Sequence, residues 1–413
     1  MSKNNEKKLV PNYRFPEFVN YGEWSYPNGD ELFEPIVNKN HNSDLPILAI
    51  TQEQGAIPRD IIDYHVSVTE KSVESYKVVE VGDFIISLRS FQGGIEYSNY
   101  KGLCSPAYII LRKKVEIEND FYRHYFKSVP FIRDLNKNLE GIRDGKMISY
   151  KQFSEILIPK PKPKEQQKIA ACLSSLDEVI TAESKKLEVL KEHKKGLLQH
   201  LFPQAGETLP KLRFKEFEDS GEWEVKKLGE VVTFTGGGTP SKSKPDFWQG
   251  NIPWISSSDI EEDSIHKIKV TRFITEEALK ESATKLVPAN SVLLVSRVGV
   301  GKLAVSTEPL CTSQDFTSFS PIDDNSIFLG YYLKSKREIL LSFSQGMAIK
   351  GFTKDDISKL ELLIPSISEQ QKIASVLSSI DEIIIAKGQK IEALQLHKKG
   401  LLQGLFPNIN NIN

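Results

Sequence analysis

Glu165-Gln166-Gln167-Lys168-Ile169-Ala170 returns 204 residues later as Glu369-Gln370-Gln371-Lys372-Ile373-Ala374, and this return decides the fold. The match runs without a gap to Leu201-Phe202-Pro203 and Leu405-Phe406-Pro407, with about two thirds of the positions identical. Solenoid periods are roughly 20–50 residues, so a repeat this long and this distant marks two copies of one architecture. Each copy reads as a long helix. Positions spaced alternately by four and three run Ile169, Leu173, Leu176, Ile180, Glu183, Leu187, Leu190, Lys194, Leu197, Leu201 in the first copy. The second reads Ile373, Leu377, Ile380, Ile384, Lys387, Ile391, Leu394, Lys398, Leu401, Leu405. This is a heptad seam interrupted at the same two places in both copies. Pro159, Pro161 and Pro163 precede the first helix, Pro365 precedes the second, and Pro203 and Pro407 close them, as proline's exclusion from helix interiors requires. About 37 residues at ~1.5 Å rise give a rod of roughly 55 Å. Two such rods in one chain pair most simply with each other, as an antiparallel coiled coil; the competing reading is a dimerisation coil between chains.

A shorter repeat sets the boundaries. Pro11-Asn12-Tyr13-Arg14-Phe15-Pro16-Glu17-Phe18, leading to Gly22-Glu23-Trp24, returns as Pro210-Lys211-Leu212-Arg213-Phe214-Lys215-Glu216-Phe217, leading to Gly221-Glu222-Trp223. The chain therefore divides into a lead-in (1–24), a first body (25–158), a first spacer helix (159–203), a linker with the second lead-in (204–223), a second body (224–363), a second spacer helix (364–407) and a tail (408–413). The bodies resemble each other far less than the frame does. Strand-like runs at 83–88, 107–111 and 291–296 alternate with helical stretches at 121–135 and 328–343, giving an α/β or α+β character. A duplicated frame with divergent insertions is what a scaffold holding two different readers looks like.

The bulk properties narrow the function. A length of 413 residues exceeds one hydrophobic core. A net charge of −1 argues against a protein that coats nucleic acid nonspecifically, while leaving room for local basic faces. Cys104, Cys172 and Cys311 are odd in number and widely separated, which fits a reducing compartment. The N-terminal residues have no apolar core of a signal peptide, and no apolar run approaches the roughly 18 residues of a membrane span, so a cytoplasmic location is expected.

This layout resembles the specificity subunit of Type I restriction–modification enzymes, the HsdS family, over almost the whole chain. Gly236-Gly237-Gly238-Thr239-Pro240 followed by Phe247-Trp248-Gln249-Gly250-Asn251-Ile252-Pro253-Trp254 is similar to the start of a second target-recognition domain. The stretches from Ile158-Pro159 to Ala170 and from Ile364-Pro365 to Ala374 are similar to the family's junction from domain into helix. The resemblance implies that each body is a target-recognition domain reading one half of a split double-stranded DNA site. It implies that the helices separate the readers and dock two methyltransferase subunits, with Gln166, Gln167, Lys168 and His193, and their counterparts Gln370, Gln371, Lys372 and His397, as the candidate partner-binding positions. It also implies motor–nuclease subunits, with S-adenosylmethionine, ATP and Mg²⁺ belonging to partners and no cofactor or catalysis to this chain.

The residues agree that the chemistry lies elsewhere. The Asp/Asn-Pro-Pro-aromatic loop of an amino-methyltransferase is absent from the sequence. Gly299-Val300-Gly301-Lys302 hints at a phosphate loop, but Ser296 stands where the leading glycine belongs and Leu303 replaces the Mg²⁺-binding Ser/Thr. The cysteines and histidines form no close zinc-ligand pattern, so no metal site is expected. Direct readout of bases needs Arg or Lys on guanine and Asn or Gln on adenine, while other cations hold phosphates. Arg89 and Gln92, in Ser87-Leu88-Arg89-Ser90-Phe91-Gln92-Gly93-Gly94, follow an apolar strand; Arg297 and Lys302 occupy the corresponding place in the second body. Arg143 and Lys146, and in the other body Lys350, lie in matching loops before the long helices, and Lys242 and Lys244 are candidate phosphate contacts. A glycine-bearing surface turn with solvated charges is the bland reading of each. Trp248 and Trp254 read as core residues rather than stacking platforms. A rigid coil would fix the half-sites about one DNA turn, roughly 34 Å, apart. The resemblance suggests that Thr181-Ala182-Glu183-Ser184 tunes this gap. The reading from a different class is a coiled-coil scaffold presenting two protein- or RNA-binding domains.

Overall fold

The computed structural model describes residues 10–62, 73–137, 148–343 and 351–407. It forms two units, each discontinuous in sequence: Met1–Ser184 with Lys390–Asn413, and Lys185–Gln389. The two long helices, Pro163–His200 and Ile367–Leu405, each contribute one stretch to either unit.

Among the described residues, the first unit has β1 (Phe33–Ile36), β2 (Leu48–Thr51), β3 (Gly55–Pro58), β4 (Lys77–Val79), β5 (Phe84–Ile86), β6 (Glu96–Tyr97), β7 (Gly102–Cys104) and β8 (Ile109–Lys113). One antiparallel sheet has the order β1-β8-β5-β6. Beside it, β2 pairs with β3 and β4 with β7, and Ile47 bridges Leu103 in parallel, linking them in the order β3-β2-β7-β4. The second unit has β9 (Glu224–Lys227), β10 (Val232–Gly236), β11 (Ile252–Ile255), β12 (Arg272–Ile274), β13 (Leu286–Val287), β14 (Val292–Val295), β15 (Leu303–Val305), β16 (Leu310–Thr312), β17 (Phe316–Pro321) and β18 (Glu361–Ile364). Its sheets have the orders β10-β17-β14-β15 and β12-β11-β16-β13, with β11 and β16 parallel. The orders correspond strand for strand. Two bodies with little common sequence therefore share one topology.

The central strands explain the layering. Successive strand residues point to opposite faces. Phe84 and Ile86 face a cluster with Phe33, Tyr122, Phe126 and Leu173, while Ile85 faces a second cluster with Leu48, Val79 and Ile110. In β14, Val292 and Leu294 face Phe328, Tyr332 and Leu377, while Leu293 and Val295 face Ile255 and Phe316. Each unit is thus helices, sheet and second sheet around two apolar layers, the α+β fold expected. The helical stretch expected at 121–135 is two helices, Asn119–Tyr125 and Val129–Lys137, because Pro130 starts the second. The stretch expected at 328–343 likewise divides into Ser326–Ser335 and Arg337–Ser342.

The frame repeats in side-chain detail. Arg14 donates to both carboxylate oxygens of Glu165 at 2.7 and 2.8 Å, and Arg213 to both of Glu369 at 2.9 and 2.8 Å. The remaining nitrogen, Nη1, donates to the Gly22 carbonyl in one unit and the Gly221 carbonyl in the other, each at 2.7 Å. The seam interruptions Glu183, Lys194 and Lys398 form charge pairs. Asp177 pairs with Lys398 and Glu183 with Lys390 in the first unit, and Lys194 with Asp381 in the second.

Candidate nucleic-acid interface

Arg89 and Arg297 lie at matched places in the fold. Arg89 follows β5, exposed, and Gln92 is exposed on the single helical turn Ser90–Gly93 behind it. Arg297 follows β14, the equivalent strand, and is exposed in the turn to β15. Lys302 is half-buried at the end of that turn, where Gly299 and Gly301 have φ of +90° and +85°. A strand–turn–strand is not the strand–loop–helix of a phosphate loop, so this segment lacks the context a nucleotide site requires. Lys244 is engaged on the surface with Glu281 at 2.9 Å and over the Phe247 ring, while Lys242 is exposed. Arg143, Lys146 and Lys350 lie outside the described residues. Gly351, next to Lys350, packs against Ser296 and Arg297, and the Phe352 N–H donates to the Ser296 carbonyl at 3.0 Å.

Two clefts, one in each unit, bring Arg89 and Lys242 together with residues that the sequence did not single out, Gln54 and Gln314 among them. The first, about 650 Å³, lies where β2 ends, bounded by the turn Gln52-Glu53-Gln54, by Arg89 and by Tyr108 just before β8. The second, about 660 Å³, lies where β11 ends, bounded by Ser256, by Gln314 just before β17, and by Thr239 and Lys242. The first is held by Lys127, whose ammonium donates to the carbonyls of Gln52 at 3.2 Å and Gly93 at 3.0 Å and pairs with Glu96. The second is held by Gly237 and Gly238. A Cβ on Gly237 would fall 1.9 Å from the Ser313 carbonyl oxygen, so only glycine lets this loop close on β16. The buried Trp254 donates its indole N–H to the Gly238 carbonyl at 2.9 Å, as a core residue does. Arg272 stacks on Trp254 and donates to Ser256 and Asp259.

The candidate partner positions divide by burial. Gln167, Lys168, His193, Gln371, Lys372 and His397 are exposed. Lys168 pairs with Glu17 at 3.2 Å and Lys372 with Glu216 at 3.0 Å. Gln166 and Gln370 are only 1% exposed. Gln166 accepts from the Glu118 N–H at 2.9 Å and donates to the Pro161 carbonyl at 2.7 Å; Gln370 accepts from Asn325 N–H at 2.9 Å and donates to Pro365 and Asp324. Both amides latch the helix start to its own unit and are out of a partner's reach.

A histidine lies beside each helix, His124 buried and His266 half-buried. His124 contacts Ser174 at 3.0 Å and Asp177 at 3.8 Å, and His266 contacts Tyr331 at 2.9 Å and Asp381 at 4.0 Å. Burial, reinforced by Lys398 and Arg123 against the opposing pull of Asp177, lowers the His124 pKa to about 4. The folded protein therefore binds this proton later than the unfolded chain as pH falls. Stability contributed by the neutral ring is lost between the ordinary histidine value of about 6.5 and about 4, at about 1.4 kcal/mol per unit. His124→Gln keeps a partner for Ser174 without the titration. Its stability is expected to fall less steeply than wild type from pH 6.5 to 4 in urea titrations; parallel curves would refute the assignment.

Among the described residues no group of three His, Cys, Asp or Glu is arranged to hold a metal ion, and no helix is long and apolar enough to cross a membrane. Comparison with known proteins bears on both units. The MjaIX specificity subunit of Methanocaldococcus jannaschii, a Type I restriction enzyme subunit, is 36% identical over 178 residues, 42% of this chain and 41% of that protein. The EcoR124I/EcoR124II specificity subunit of Escherichia coli is 31% identical over 255 residues, 59% and 60% of the two chains. These alignments span about two fifths and three fifths of the relatives' lengths. The putative MjaX specificity subunit aligns over 94% of this chain and 90% of its own, at 24% identity. The Type-I restriction-modification system S subunit from M. genitalium shares the fold, with a TM-score of 0.61 over 97% of this chain and 100% of that one, at 16% identity. The family profile of the Type I restriction modification DNA specificity domain matches residues 27–192 and again 220–396, and with both halves of the chain so matched, the chain belongs to that family of specificity subunits.

Proposed function

We propose that this chain is the DNA sequence-recognition subunit of a Type I restriction–modification complex, each unit reading one half of a split site. The observation that carries this is the pair of bodies with one topology and different exposed side chains, set in a frame duplicated down to its Arg–Glu clamps. The relatives named above are specificity subunits, which supports the same reading. In this proposal the long helices pair as an antiparallel coiled coil. The pairs in the first unit favour it: from Asp177 to Glu183 the partner number falls from Lys398 to Lys390. Exposed helix positions dock two methyltransferase subunits, which bind S-adenosylmethionine, and motor–nuclease subunits bring ATP and Mg²⁺. The chain itself contributes no catalysis.

The test is methylome sequencing of a methylation-free host carrying this chain with its neighbouring methyltransferase, against the methyltransferase alone. A split N6-methyladenine motif found only with this chain is the expected result. No motif from a soluble, active complex would instead favour an interaction scaffold. Spacing gives a second prediction. Four residues inserted after Ser184 add one helical turn, about 6 Å. They are expected to lengthen the unread gap by about two base pairs while both half-sites keep their sequence; an unaltered gap would end the view of the helices as a ruler.

A further inference from the structure

The two clefts occupy one place in two matched folds, yet their polar side chains differ almost throughout. β2 and β11 are equivalent strands, and so are β8 and β17; each cleft opens between the end of the first and the residues that lead into the second. We propose that these clefts are the base-reading sites, and that Gln54 and Arg89 in the first unit, with Lys242 and Gln314 in the second, set the sequence of the two half-sites. This assignment rests on the DNA-recognition reading above and adds where and by which residues the reading occurs.

The chemistry of these side chains suits base edges. An Arg or Lys matches the O6 and N7 acceptors of guanine, and the amide of Gln matches N7 and N6 of adenine. All four residues are exposed, whereas the backbone beneath them is fixed. The Gln54 N–H donates to Thr51 Oγ1 at 3.1 Å, and the neighbouring Gln52 carbonyl accepts from the half-buried Lys127. The Gln52 side chain donates to the Arg89 carbonyl at 3.3 Å, joining the two readers of the first cleft. In the second cleft, Gln314 Oε1 accepts from the Thr239 hydroxyl, which orients the amide and leaves its NH₂ to donate. The Ser313 N–H donates to the Ile255 carbonyl at 2.9 Å, and the Gly238 N–H to the Thr312 carbonyl at 2.8 Å, so the loops carrying Gln314 and Thr239 are tied to the sheet. Donors held this way lose little freedom on binding, which favours discrimination between bases over adaptable contact.

Arg272 and Trp254 line the second cleft as well, but the guanidinium is already engaged with Ser256, Asp259 and the indole face. Both act as its floor. Loss of a phosphate contact, by comparison, would weaken binding to all sequences alike.

The experiment uses the full chain in complex with its methyltransferase. Methylation rates are measured for Gln54→Ala, Arg89→Ala, Lys242→Ala and Gln314→Ala on duplexes carrying each base at each position of the wild-type motif. The thermal midpoint of every complex is recorded. Being exposed, the four substitutions should leave the midpoint unchanged. Gln54→Ala and Arg89→Ala are expected to relax one position each in the same half-site, by roughly 5- to 150-fold, leaving the other half intact. Lys242→Ala and Gln314→Ala should do the reverse. Wild-type selectivity in both halves for all four variants would overturn the proposal. So would a loss equal across all sequences, because that is the signature of backbone contacts. A wild-type complex that methylates no split motif would remove the recognition reading itself, a failure distinct from misplaced readers.

Discussion

Glu369→Ala is expected to destabilise the second unit by about 3–5 kcal/mol, the cost of stranding a buried charge. Glu369 is 1% exposed and accepts from Arg213 Nε and Nη2 and from the Trp223 indole at 3.3 Å. Without the carboxylate, a guanidinium whose side chain is 9% exposed keeps only the Gly221 carbonyl. Such bidentate charge-assisted pairs are among the strongest hydrogen-bonded contacts in proteins. Glu369→Gln should lose less, since one amide oxygen remains to accept. The repeat supplies an internal control. Glu165→Ala removes the same clamp from the first unit, but the Trp24 indole there makes no hydrogen bond, so its loss should be smaller. Replacing Arg213 and Glu369 together by methionine should be milder than Glu369→Ala, because no charge is then left behind. Urea unfolding of each variant measures this. A Glu369→Ala loss below about 1 kcal/mol would mean the site relaxes or admits water.

How much of this was legible depends on which residues carry the signal. The helices were, because a seam from Ile169 to Leu201 with proline at both ends admits few alternatives. The bodies' shared topology was not. Phe84–Ile86 and Val292–Val295 are short and buried on both faces, so they show no polar alternation and no order of pairing. The burial of Gln166 could have been found. Residues three and four apart share a helix face, and Gln166 lies three before Ile169 and seven before Leu173, both core residues. Giving Gln166 the same partner-binding role as Gln167 and Lys168 leaves that register out of account. The seam's interruptions were visible, but Glu183 and Lys194 find partners some 190 to 210 positions away, which no local pattern reveals. The clefts were hidden for a related reason. Gln54 and Arg89 are 35 residues apart, and Lys242 and Gln314 are 72 apart. Only the sheet order places each pair around one opening. Arg89 was singled out because it follows an apolar strand, whereas Gln54 sits in a turn whose sequence, Gln-Glu-Gln-Gly, looks like any solvated loop.

The discontinuity of the units leads to the other large effect. Phe406 is far in sequence from the first body, yet it is 1% exposed in that unit's core. Its ring meets Phe121 edge-on at 5.4 Å and lies 5.5 Å from Tyr125, in the cluster that also holds Trp24 and Leu173. The Tyr13 N–H donates to the Gly404 carbonyl at 2.8 Å, so the last turn of the second helix closes against the first lead-in. Phe406→Ala is therefore expected to cost about 3–5 kcal/mol, the range for truncating a buried phenylalanine to alanine. Phe202, which packs on Phe328 and Tyr332 in the second unit, should fall in the same range. Leu396 is on the same helix but 71% exposed, so Leu396→Ala should change stability by less than about 0.5 kcal/mol. If Phe406→Ala and Leu396→Ala cost the same small amount, the second helix end is not part of the first unit's core. The larger consequence is for recognition. A body whose core is completed by the far end of the chain cannot be exchanged by cutting at 158 alone. On the recognition reading proposed above, a swap of the first body should keep its half-site specificity only if residues 390–407 still present Leu405 and Phe406 to the incoming body.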